Sequence, residues 1–159
     1  AFVRADCGNG TYQVYAPDAR YPYVAEAQGY GLVITATMSF ADPDAKKTFD
    51  GLLAYVLAHP SANNRDLMAA EQDDSCADRA GTNSATDGDM DIAYALLIAD
   101  RAWGSAGRYD YRDLAVRRIK ALEAIYDYVA KFDGVLHWNG EQILDWYTST
   151  RDVKFGASA

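Results

Sequence analysis

Phe49, Leu52, Leu53, Val56 and Leu57 follow one another at helical spacing, so the stretch from Asp44 to His59 is predicted to be an amphipathic helix with a single apolar stripe. Pro43 fits just before or at its first turn, where a missing N–H loses no partner. The same rhythm returns between Tyr111 and Phe132 through Ala115, Ile119, Leu122, Ile125 and Val129, and Gly134 stands where such a helix should stop. The segment Asp89 to Trp103 differs, because Ile92, Ala93, Ala95, Leu96, Leu97, Ile98 and Ala99 place apolar groups on nearly every side. It is predicted to be buried between neighbours, with its alanines allowing close approach. Gln28 to Phe40 is a fourth predicted helix, although Gly29, Gly31 and several β-branched residues lower its propensity.

Alternating strand patterns are scarce, so the predicted class is all-α. Pro60 to Ser84 and Ala1 to Ala25 lie between or before the helices and are rich in Gly, Asn, Asp, Ser and aromatic residues. Loops of that length usually carry function. With 159 residues, half of them apolar, the chain suits one domain or part of a larger one. A formal charge of -8 argues against a nucleic-acid partner, since phosphate binding needs clustered Lys and Arg. Acidic groups suit a neutral or cationic ligand instead. No apolar run comes near the length needed to span a membrane, and the first residues carry no signal segment, so a soluble chain with no membrane partner is expected.

Cys7 and Cys76 are the only cysteines and sit in Gly/Asp-rich segments, not in a C-x-x-C pair, so no metal site and no cofactor are expected. Two readings stand. A disulfide between them would close a loop of about 70 residues, contribute roughly 4 kcal/mol by chain entropy, and imply an oxidising compartment; the other reading is a pair of buried thiols.

The crowding of Asp87, Asp89 and Asp91 before an apolar run invites three explanations. A calcium loop fails, because Ile92 stands where the turn glycine should be and Ile98 where the bidentate glutamate should be. A helix cap fits "TDGD" (Thr86 to Asp89), an S/T-x-x-D start with carboxylates near the helix dipole. A cap needs one side chain, however, and the surplus resembles a site that needs placed negative charge, such as one stabilising an oxocarbenium-like sugar. Glu26, in "VAEAQGYGL", either complements a helix dipole or, beside Ala25, Ala27, Gln28 and Tyr30, is partly desolvated toward the pKa of a general acid.

At these residues the sequence resembles a known family. "EAQGYGL" (Glu26 to Leu32) is similar to the "SEGQGYGM" segment of glycoside hydrolase family 8, and "ATDGDMDIAYALLIADRAWG" (Ala85 to Gly104) resembles that family's signature almost throughout. "FDGLLAYV", "HPS", "DLMA" and "YTSTRD" extend the likeness over roughly Val24 to Asp152. The resemblance implies an (α/α)6 barrel and an inverting, endo-acting hydrolase of β-1,4-linked polysaccharide such as cellulose, lichenan, xylan or chitosan. Secretion is expected on the disulfide reading of Cys7 and Cys76. By matching position, Glu26 would be the general acid and Asp87 the aspartate that holds the distorted sugar. Gln28, Tyr30, Asp89 and Tyr94 would line or support the substrate site.

Departures from the family pattern shape the remaining expectations. Where relatives read "LMAW" this chain has "LMAA" (Leu67 to Ala70), which removes an aromatic platform at Ala70. Trp103, Trp138 and Trp146 remain as stackers, with a buried structural role expected for Trp103. Twelve helices make such a barrel and only four are legible, so residues 1–159 are expected to form a catalytic domain truncated on its C-terminal side, without the family's base. The tail "DVKFGASA" also leaves the pattern. Exposed stripes on Asp44 to His59 and Tyr111 to Phe132, or the sides of Asp89 to Trp103, would then favour a homodimer or a missing C-terminal half as partner. Two function classes follow: a hydrolase, or a non-catalytic carbohydrate-binding remnant of one.

Overall fold

The computed structural model describes residues 2–79 and 83–150. Five α-helices dominate these residues: α1 (Ala25–Thr37), α2 (Ala45–Ala58), α3 (Thr86–Trp103), α4 (Tyr111–Val129) and α5 (Gly140–Thr150). Strands β1 (Val3–Arg4), β2 (Gln13–Val14), β3 (Tyr23–Val24) and β4 (Glu71–Gln72) are two residues each and pair antiparallel as β1 with β2 and β3 with β4. The class is all-α, and the short strands serve to clip the long loops in place. The chain divides into two compact units, Ala1–Ile125 and Tyr126–Ala159.

In the first unit, Leu32 and Ala36 of α1, Phe49, Leu52, Leu53 and Val56 of α2, and Ile92, Leu96 and Ala99 of α3 form one buried core that Tyr111 and Ala115 of α4 complete. The apolar stripe of α2 is therefore satisfied inside the chain and does not face water, contrary to the expectation drawn from its sequence; only Leu57 at its end is exposed. The α3 expectation also needs correcting. Ile92, Ala93, Ala95, Leu96 and Ala99 are buried, whereas Met90, Tyr94 and Leu97 are exposed, so this helix buries one side only. On α1, Tyr30 and Ile34 are exposed likewise.

Helix bounds differ where local rules compete. The helix expected over Gln28 to Phe40 starts three residues earlier, at Ala25, directly off β3, and gives way to a 3-10 turn at Met38–Phe40. The "TDGD" cap does not form: Ala85 is the N-cap residue with no side-chain cap bond, and Thr86 already lies inside the helix. In the second unit, α5 is a helix beyond the four predicted from the sequence, although its start has a legible device. Asn139 and Gln142 exchange reciprocal side-chain to backbone hydrogen bonds of 2.9 Å, a capping box with Asn in the first position. Trp138 and Trp146 pack on each other at 6.1 Å. The "DVKFGASA" tail lies outside the described residues.

Candidate active site

The site is built where α1 and α3 begin. Val24 leaves β3 in extended geometry and becomes the N-cap residue of α1. The next amide, Ala25 N–H, donates to the Ala70 carbonyl at 2.9 Å, and Ala70 N–H donates to the Asn83 carbonyl. The loop after α2 thus backs the start of α1 through Ala70, and Ala70 in turn is tied to Asn83, just before α3. Two glycines bring the helices together: a Cβ on Gly88 would lie 2.6 Å from the Ala25 carbonyl carbon and 2.7 Å from the Glu26 nitrogen, and one on Gly29 would lie 2.8 Å from Asp91 Cβ. The Gly88 contacts are with the backbone of the first turn of α1, and they set Glu26 and Asp87 on neighbouring helix starts.

Glu26 and Asp87 share an open cleft of about 280 Å³ with Ala70, Glu71 and Ala85. No lysine or arginine occurs among its described lining residues, and both helix N-termini point their partial positive charge toward it. Glu26 is exposed, so the burial expected around it is not present; its partner is the Tyr30 hydroxyl, which donates to Glu26 Oε1 at 2.9 Å one turn along α1. The Tyr30 hydroxyl is pushed above the usual tyrosine range, first by that hydrogen bond and the Glu26 charge, then by smaller effects of burial, Asp91 and Asp87. Asp87, also exposed, accepts the Gly88 N–H at 2.8 Å.

The supporting residues fall into different places. Gln28, expected to line the site, is fully buried: its Nε2 donates to the Val14 carbonyl at 3.0 Å and its Oε1 accepts Val14 N–H at 2.7 Å, so it ties β2 to α1. Asp89 is buried beneath the first turn of α3, where one carboxylate oxygen accepts Met68 N–H at 3.0 Å and a hydrogen bond from Arg118 of α4. Tyr94 is exposed two turns beyond Asp87, in a groove with Ala36, Ile98 and Arg101 and away from the Glu26 cleft. Trp103 is half-buried against Phe49 at 5.3 Å, a packing role. Cys7 and Cys76 form the disulfide, with Cα atoms 5.8 Å apart. Two residues were missed. Glu71 reaches the cleft by pairing opposite Val24, which no sequence periodicity announces, whereas Arg118 interrupts the buried series Tyr111, Ala115 and Leu122 and was detectable as a charge on an apolar stripe.

The family model of glycosyl hydrolases family 8 matches residues 8–138. The chain belongs to this family. A beta-glucanase of Niallia circulans is 54% identical over 99 residues, 62% of this chain and 24% of the relative. An endoglucanase of Bacillus sp. (strain KSM-330) is 36% identical over 131 residues, 82% of this chain and 27% of the relative. Among solved structures, the apo beta-1,3-1,4-glucanase of Paenibacillus sp. X4 superposes with a TM-score of 0.72 at 44% identity, covering 78% of this chain and 32% of that one. The chain therefore spans about a quarter of these curated family 8 relatives and about a third of the solved one. Its helices have the arrangement of a partial (α/α)6 barrel.

Proposed function

We propose that this chain supplies the early part of a family 8 catalytic domain that cleaves β-1,4-linked polysaccharide, cellulose, mixed β-glucan, xylan or chitosan, by endo attack with inversion. The observation that carries this reading is the cleft in which the first turns of α1 and α3 set Glu26 and Asp87 side by side. Glu26 acts as general acid on the leaving oxygen, with Tyr30 orienting its carboxyl group, Asp87 holds the sugar whose ring gains positive charge in the transition state, and the base that takes the proton of the attacking water is supplied by the rest of the domain. Gln28 and Asp89 support these groups from beneath, while Tyr94, in a separate groove, would meet only a glycan long enough to reach past this cleft. A cleft with no lysine or arginine among its described lining residues suits a neutral or cationic glycan. The Cys7–Cys76 bond supports secretion into an oxidising compartment.

The test is release of reducing ends from soluble mixed-linkage β-glucan, with the anomer of the first product read by NMR. The α-anomer is expected, and Glu26→Gln should abolish hydrolysis while leaving cellotetraose affinity within about tenfold, because loss of a proton donor acts on the transition state. Equal hydrolysis in that variant, or a β-anomer product, contradicts the assignment. Ala70, which offers the cleft no ring for stacking, favours a second reading: a non-catalytic carbohydrate-binding role, supported by oligosaccharide binding without turnover.

A further inference from the structure

The Asp89–Arg118 ion pair lies beneath the cleft and touches its frame on both sides. Asp89 is 0% exposed and Arg118 4%. Arg118 donates to Asp89 Oδ1, the oxygen that also accepts Met68 N–H, while Asp89 Oδ2 and Arg118 Nε have no hydrogen-bond partner among the described residues. Burial pushes the Asp89 carboxyl up, and the Arg118 charge and the two hydrogen bonds oppose this. A buried, incompletely satisfied pair contributes little net stability over an apolar replacement, because desolvation of both ions offsets their attraction. What the pair does supply is placement. Asp89 lies two residues beyond Asp87, and Met68 lies two residues before Ala70, whose carbonyl receives the amide next to Glu26.

We propose that Arg118 is a positioning residue: through Asp89 and Met68 it locks α4 to both walls of the cleft and fixes the spacing of Asp87 and Glu26. The guanidinium balances the buried carboxylate, the carboxylate holds the Met68 amide, and the segment from Met68 to Glu71 is held at the back of α1. Without Arg118 the carboxylate is left unpaired, and the segment loses its anchor before the helices lose their core. The proposal rests on reading this cleft as the sugar site, so its test needs one readout that no sugar enters.

That readout is amide hydrogen exchange at Met68, compared with Leu53 in the α2 core and measured beside cellotetraose affinity in wild type, Arg118→Met and Arg118→Lys. Arg118→Met should speed Met68 exchange by about tenfold relative to Leu53 and weaken cellotetraose binding by about tenfold, and Arg118→Lys should recover most of both by restoring the charge. If Arg118→Met does not fold, Asp89→Asn takes its place: it keeps an acceptor for Met68 but loses the ion pair, and smaller shifts of the same sign are expected. Proportional acceleration at Met68 and Leu53, or unchanged binding despite faster Met68 exchange, overturns the proposal. A wild-type chain that binds no cellotetraose refutes the sugar site instead, and the lock itself is then decided by Met68 exchange alone.

Discussion

Asp87 has a local bond and a proposed role in the chemistry, and one substitution separates them. Its carboxylate accepts the Gly88 N–H, a bond that an asparagine carbonyl makes equally well. Asp87→Asn should therefore change stability by no more than about 0.5 kcal/mol. Turnover on β-glucan should fall by about 100-fold or more, because the charge that meets the developing positive sugar is gone. Thermal unfolding and a reducing-end assay on the same sample check this, and unchanged turnover would reduce Asp87 to a local turn residue. Glu26 and Asp87 were legible at this scale because they lie inside contiguous motifs. Glu71 and the burial of Gln28 were not, since both depend on contacts between residues apart in the chain, Glu71 through strand pairing with Val24 and Gln28 through side-chain hydrogen bonds to the Val14 backbone.

At the scale of elements, Gly88 decides how close α1 and α3 come. A methyl group there meets Ala25 and Glu26 backbone atoms at 2.6 and 2.7 Å, and backbone cannot move aside as a side-chain tip can. Gly88→Ala is expected to destabilise the fold by on the order of 1–3 kcal/mol, measured by urea unfolding, and to weaken oligosaccharide binding as the helix starts part. Retained stability and binding would mean that the close approach is not needed. The periodicity of α2 and α4 made those helices readable, and the dense apolar content of α3 fixed its place in the core. What periodicity missed was the open side of α3 and the early start of α1, because both depend on which neighbours cover each face.

Over the whole first unit, the Cys7–Cys76 link joins residues 69 apart and ties the N-terminal hairpin to the loop that backs the cleft. Thiol alkylation before reduction should label neither cysteine, and reduction should lower stability by up to about 4 kcal/mol by the loop-entropy estimate. Labelling of both in the native protein would contradict the bond. The turn that presents Cys76 is shaped by Asp73, which accepts hydrogen bonds from Ser75, Ala77 and Arg79. These hold its carboxyl far below the ordinary range, with the Ser75 hydroxyl first. A depressed carboxyl contributes its stability above the unfolded value, about 4, and loses it as pH falls toward the folded one. The stability gap between wild type and Asp73→Asn should thus be widest above about pH 5 and narrow progressively below pH 4. A gap that stays constant with pH would show that the Asp73 charge is not what shapes the turn. At this scale the family was legible from its long signature, while the second unit and the pairing of the loops had no comparable sequence mark.

Whether the junction of α1 and α3 binds the sugar is decided by backbone NMR of the intact chain titrated with cellotetraose. Shift changes should centre on Glu26, Tyr30, Ala70, Glu71 and Asp87 and should shrink in Asp87→Ala, whereas Lys47 and Arg108, which line other cavities, should stay still. Saturable changes centred elsewhere, or none at millimolar ligand, would contradict the account.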